Sequence, residues 1–221
     1  MDLEKIVRAA PIGLLMLVGS YVASRRRKSG QARAAQEFPE TAKRLGLEFR
    51  APSQPGRIGV LHGRFRSYEV FVDPDERPRI VVYFSRQPAV VLRTYEHEKR
   101  IQVGMVRLDT GSTFLNGLFK DRYASAELVE ALVGNSSARV LDLETRVRKI
   151  TEALGKNLAH LSVTPERVEC GLEFGRPAHI PGERVAMLVP EVVELVRFLE
   201  EVAADSSVPS ATDRADPGET T

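Results

Sequence analysis

One uncharged run constrains this 221-residue chain more than any other stretch. Ala9 to Ser24, AAPIGLLMLVGSYVAS, is sixteen residues without a charge, and Arg25-Arg26-Arg27-Lys28 follows at once. As a helix, the run covers roughly 24 Å at ~1.5 Å per residue. A bilayer core is ~30 Å thick, and a spanning helix usually uses about 20 apolar residues. The run is short by that measure. Ile6 and Val7 lengthen it, and Arg8 and Arg25 have stems long enough to carry their charges to the headgroups.

Three readings compete: a membrane-spanning anchor, a cleaved signal peptide and a buried helix of the folded domain. Val22-Ala23-Ser24 has the small residues of a cleavage site. However, Asp2 and Glu4 balance Lys5 and Arg8 ahead of the run, where a signal peptide carries a positive excess. A basic cluster directly after an apolar run also resists translocation. A buried helix would need an equally apolar partner, and none is evident. The balance therefore favours an anchor. The flank richer in Lys and Arg stays in the cytoplasm. This predicts a single-pass protein of the inner (cytoplasmic) membrane, its N-terminus outside and its C-terminal domain in the cytoplasm. Arg25, Arg26, Arg27 and Lys28 are then the membrane-interface residues, binding anionic headgroups at ~1 kcal/mol each.

The expected organisation is an anchor with its basic flank over residues 1–28, a helical stalk over 29–37, one cytoplasmic domain over 38–204 and a disordered tail over 205–221. The net charge is only +2. The juxtamembrane cluster absorbs that excess, so the domain carries no electrostatic footprint for nucleic acid. Cys170 is the single cysteine, which excludes an internal disulfide and a thiolate metal cage. The four histidines, at 62, 97, 160 and 179, lack ligand-like spacing. No cofactor is predicted.

Periodicity supplies the fold class. Phe38-Pro39 is expected to break the stalk, with a short helix over Pro39–Leu45. Ile58–Phe65 and Tyr68–Val72 flank a two-residue turn at Arg66-Ser67, and Tyr68, Val70 and Val72 keep the two-residue period of a strand. Arg79–Phe84, Ala89–Glu96, Ile101 with Val103, and Met105–Leu108 are further β-rich runs. Five or six mostly antiparallel strands are expected, because the connections are too short for crossovers. The pattern then turns helical. A turn of helix is read at Phe114–Phe119, then a helix over Ala126–Val133. Val140, Leu143, Val147, Ile150 and Leu154 form one helical stripe. Val168, Cys170, Leu172 and Phe174 alternate as a strand with the thiol inward, and Gly182–Ala203 is a long helix containing Pro190. The prediction is an α+β fold: an N-terminal transmembrane helix, then one domain with an antiparallel sheet packed against C-terminal helices.

Asp109-Thr110-Gly111-Ser112 after an apolar strand is the one phrase that matches a catalytic signature, that of the aspartic proteases. Their chemistry needs two aspartates sharing a proton, so a chain with one copy would have to dimerise, with Asp109 as its catalytic residue. Against this, the chain after Ser112 reads as helical, and all four residues are ordinary turn formers. Glu96, His97 and Glu98 cannot chelate one ion from a strand, because His97 points away from its neighbours. Asp73, Asp75 and Glu76 lack the spaced loop of a calcium site. Glycines 56, 59 and 63 open no helix, so they make no nucleotide loop; bulges or close backbone contacts account for them.

The order of these features is distinctive in a loose way. A short anchor and basic cluster precede Glu40-Thr41-Ala42-Lys43-Arg44-Leu45-Gly46-Leu47. A hairpin with Gly63-Arg64-Phe65 follows, then Thr110-Gly111 with Phe114 and Phe119. Over residues 5–203 this resembles uncharacterised single-pass, membrane-anchored proteins of Gram-negative bacteria. Their cytoplasmic α+β domain has no assigned activity. The resemblance implies the same anchored α+β architecture and carries no site residues with it. Two functions are expected from the whole: a membrane-tethered, non-enzymatic binding or scaffold module, or, as the alternative, a dimeric aspartic protease.

Overall fold

The alternation at residues 68–73 becomes a strand whose Val70 and Val72 are fully buried while Glu69 stays exposed. Its turn is built at Arg66 and Ser67, both at positive φ, which matches the twist of the flanking strands. The Arg66 guanidinium then reaches Glu194 at 2.7 Å. This computed structural model describes residue 32 and residues 36–206, apart from 55–56, 76–77, 97–103, 135–136, 156–157 and 173–179.

A helix that includes residues 36–45 (α1) leads into β1 (Glu48–Arg50), β2 (Val60–Phe65), β3 (Tyr68–Asp73), β4 (Arg79–Tyr83), β5 (Val90–Arg93) and β6 (Met105–Arg107). Then come α2 (Thr113–Leu118), β7 (Asp121–Ser125), α3 (Ala126–Val129, continued by a wider turn over Glu130–Gly134) and α4 (Ser137–Leu154). A final hairpin, β8 (Leu158–Val163) and β9 (Arg167–Leu172), precedes α5 (Gly182–Ser206). The nine strands among the described residues form one sheet in the order β1-β2-β3-β4-β9-β8-β5-β7-β6, with every pair antiparallel. The late hairpin β8–β9 is thus inserted between β4 and β5.

The helices bury one face. Val70, Val72, Ile80, Val82, Val168, Cys170, Leu161 and Leu92 form that face and are almost fully buried. The stripe of α5 (Val185, Leu188, Val189, Val192, Val196, Leu199) packs on β3, β4 and β9. Helix α4 runs antiparallel to α5, as pairs Arg146–Glu194 (3.6 Å) and Arg139–Asp205 (2.6 Å) record. Helix α5 is also pinned to the loop after β4. Glu200 accepts hydrogen bonds from the Tyr68 hydroxyl (2.9 Å) and from the backbone N–H groups of Ser85 (2.5 Å) and Arg86 (2.8 Å). Burial, and then the bond to Glu200, push the Tyr68 phenol up to about 12. Glu200→Ala strands these donors, and a loss of about 2 kcal/mol in unfolding free energy is expected from urea denaturation. An unchanged midpoint would show that the carboxylate does not hold the helix.

Three expectations need correction. The first is the transmembrane helix of the predicted fold class, and with it the single-pass membrane reading. No helix among the described residues is long and apolar enough to cross a membrane. The physical reason is visible in α5: it is long, but Glu183, Arg184, Glu191, Glu194, Arg197, Glu200 and Glu201 interrupt it, and its apolar stripe is spent on the sheet. Ala9–Ser24 and the cluster Arg25, Arg26, Arg27 and Lys28 lie outside the described residues. The second is the break at Phe38-Pro39. Residues 36–45 are continuously helical, with Phe38 fully buried in the core. The third is the strand count. Strands β1, β7 and β8 were not legible because their pattern is short or mixed. The long helix expected over Gly182–Ala203 is continuous through Pro190. The run at Ile101 and Val103 and the tail from 207 lie outside the described residues.

Candidate functional site

The Asp109-Thr110-Gly111-Ser112 phrase sits where β6 gives way to α2. Asp109 Oδ1 accepts the Gly111 N–H (3.0 Å) and the Asn116 side-chain amide (2.7 Å). These two donors, the backbone one foremost, hold its carboxyl below the ordinary aspartate range. Ser112 is the N-cap of α2, accepting the Leu115 N–H at 3.1 Å and donating to Glu144 at 2.5 Å. A helix therefore starts directly after the phrase. The second strand that a protease half needs at this point is replaced by α2, and the carboxylate is turned into its own loop. The residues make an Asx turn and a helix cap.

The other sequence candidates disperse in the same way. Asp73 Oδ1 accepts the Asp75 N–H at 3.1 Å, a turn bond. Among the described residues no three His, Cys, Asp or Glu side chains gather as a metal site requires; Glu76, His97, Glu98 and His179 lie outside them. Cys170 lies on the helix-covered face, where burial pushes its thiol far up and leaves it protonated. Gly59 is indeed a close backbone contact: at φ +94°, a Cβ there would lie 2.5 Å from the Arg50 carbonyl oxygen.

A cluster that sequence reading missed lies on the opposite face of the sheet. Cross-strand register places Val81, Glu169, Ser162 and Arg93 in one row across β4, β9, β8 and β5. Arg79, Gly171 and His160 form the adjoining row, and Tyr83 and Arg167 the next. Glu169 is the centre. Its Oε1 lies 3.3 Å from His160 Nε2 and 3.8 Å from Arg79 Nη1, and its Oε2 lies 3.2 Å from Arg167 Nη2. The hydrogen bond from His160 is the main cause that lowers the Glu169 carboxyl below its usual value; desolvation opposes it, and Arg167 and Arg79 add to the lowering. The His160 and Tyr95 rings stand nearly perpendicular with their centres 5.9 Å apart, and the Arg79 guanidinium lies 5.9 Å from the centre of the Phe71 ring.

The arginines of this face are under-used. A guanidinium carries five N–H donors in a fixed fork. Among the described residues, the side chains of Arg79, Arg93 and Arg167 make no hydrogen bond, although Arg79 and Arg167 lie near Glu169. The Nε atoms of Arg79 and Arg93 are buried without any partner. Buried polar groups are nearly always satisfied, so these two stand out. Side-chain exposures of 39% for Arg79 and Arg167 and 31% for His160 leave the cluster within reach of solvent. The period-2 polar positions 167 and 169 marked an outward face. What no local pattern could reveal is that β4 and β5, distant in sequence, flank the β8–β9 hairpin that carries them.

No protein-family model matches the chain. No curated protein matches it either. Among solved structures, the crystal structure of the mycobacterial trehalose monomycolate transport factor A is similar to it at 12% sequence identity, covering 76% of this chain and 93% of that one with a TM-score of 0.44.

Proposed function

We propose that this domain is a binding module whose working surface is the sheet face opposite the helices, and that its partner presents acidic groups there. One observation carries the reading: Arg79, Arg93 and Arg167 share that face with only partial neutralisation by Glu169, and two of them hold a buried, unsatisfied Nε. An unsatisfied buried donor costs ~1–3 kcal/mol, which a bound oxyanion recovers. Phe71, Tyr83 and Tyr95 add half-exposed ring surface beside the charges, a composition typical of interface centres rather than of ordinary surface. Nothing in this arrangement supplies a nucleophile with its base, so recognition accounts for it better than turnover does.

The test is chemical-shift mapping of the full chain against an eight-residue glutamate-rich peptide, with a lysine-rich peptide as control. Saturable perturbations by the acidic peptide alone, confined to β4, β5, β8 and β9, are expected. The double variant Arg79→Ala/Arg93→Ala should weaken that binding at least tenfold, since each charged hydrogen bond is worth ~1.5–3 kcal/mol. Equal affinity for both peptides, or perturbations on the helical side, would overturn the reading.

A further inference from the structure

Three basic side chains converge on one carboxylate from three adjacent strands: Arg79 on β4, Arg167 on β9 and His160 on β8. The convergence is built. His160 can lie over β9 because residue 171 is glycine; a Cβ there would run into the imidazole ring. The ring then presents Nε2 to Glu169 at 3.3 Å.

The occupant fits this cradle poorly. Glu169 is tethered to β9, and it takes a hydrogen bond from His160 alone among the three basic side chains. Arg79 stands 3.8 Å off, and Arg167 approaches to 3.2 Å without hydrogen-bond alignment. A guanidinium fork is shaped for two parallel bonds to a carboxylate or phosphate. Rising from the strand between the two forks, Glu169 pairs loosely with both and does not align a hydrogen bond with either. An untethered oxyanion arriving from solvent can align with both, and it also gives the Arg79 Nε a partner.

We infer that Arg79, His160 and Arg167 form a subsite for one oxyanion group, a carboxylate or a phosphate, and that Glu169 fills this subsite from within until a ligand's anion replaces it. The inference rests on the binding role proposed for this face and assigns it a specific subsite and an internal competitor. Binding then proceeds by exchange of one anion for another, with no covalent step. Glu169 swings out to solvent, and Arg93, one strand beyond His160 in the same sheet, is left to take a second acidic group of the same ligand.

The test is titration of the full chain, wild type and Glu169→Gln, with inorganic phosphate and separately with acetate at constant ionic strength. Side-chain NMR signals of Arg79, Arg167 and His160 are followed. Removing the competitor's charge should tighten anion binding at least tenfold, with saturable shifts at all three side chains. Tighter binding of phosphate assigns a phosphate-bearing ligand, and tighter binding of acetate a carboxylate-bearing one. Identical affinities in wild type and variant, or shifts that never saturate, would overturn the subsite. Should Glu169→Gln fail to fold, Arg167→Gln in the wild-type background replaces it: a tenfold loss of phosphate affinity is expected, and no loss overturns the inference. If the glutamate-rich peptide still maps to this face while Glu169→Gln gains nothing, the subsite alone falls. If the peptide also fails, the binding role falls with it.

Discussion

Arg122→Met is expected to cost about 3–5 kcal/mol of stability, because one guanidinium closes the whole β6–α2–β7 corner. Arg122 Nε donates to the Leu108 carbonyl at 3.2 Å, and Nη1 donates to the carbonyls of Asn116 (2.7 Å) and Phe119. Helix α2 has only six residues; the Phe119 N–H takes its Leu115 carbonyl and Lys120 its Gly117 carbonyl, while the Asn116 carbonyl and that of the C-cap Phe119 depend on Arg122. Methionine keeps most of the stem's packing volume and removes every donor. The effect therefore reads the hydrogen bonds and leaves the hydrophobic contribution nearly unchanged. Urea denaturation of the full chain gives the number, and a loss below ~1 kcal/mol would show the corner to be held by packing of Leu115 and Phe119 instead. Arg122→Lys should rescue little, since an ammonium on a flexible stem cannot span three carbonyls.

The second large effect is expected at Gly59. Its φ of +94° is a conformation that side chains rarely adopt, and an added Cβ would meet the Arg50 carbonyl oxygen at 2.5 Å and two carbons of the Phe49 ring at 3.0 Å. Gly59→Val should lose about 3 kcal/mol, combining backbone strain of ~1–2 kcal/mol with displacement of β1. Gly59→Ala should fall between wild type and valine. Hydrogen exchange supplies the second readout: amides of β1 and β2 should exchange faster in the variant while those of β8 and β9 keep their protection. Uniform acceleration across the sheet would mean that the glycine controls global stability and has no special hold on the β1 edge.

How much of this was legible in the residues follows from how local each signal is. The helices α3, α4 and α5 were placed closely, because the stripes from Val140 to Leu154 and from Val185 to Val202 repeat within each segment. The hairpin at Arg66-Ser67 and the strand around Cys170 were placed for the same reason. Strand β7, Asp121–Ser125, was missed because its sequence, DRYAS, has no apolar alternation; it is a strand because β5 and β6 flank it. Strand β8 was missed because it is buried on both sides near its end, where Leu161, Ser162 and Val163 are all covered, so the period-2 contrast fades. The protease phrase was ambiguous for the converse reason, and its reading as a turn is the one the structure bears out. Asp, Thr, Gly and Ser suit a turn and a helix cap as well as an active-site loop, and four residues cannot distinguish the two.

By itself the sequence determined the α+β class, the antiparallel sense of the sheet, the helices α3, α4 and α5 and the inward placement of Cys170. All of these follow from periodicity and turn chemistry within some twenty residues of chain. It could not determine where the hairpin β8–β9 inserts. That choice belongs to the tertiary structure, because strand neighbours are selected by the fit of a whole buried face, over which Ile80, Cys170 and Leu161 come into register from distant parts of the chain. Everything about the candidate site follows from that insertion. Only when the β8–β9 hairpin enters between β4 and β5 do Arg79 and Arg93 join Arg167 and His160 on the face that carries Glu169, and charges that look like scattered surface residues along the chain become one cluster.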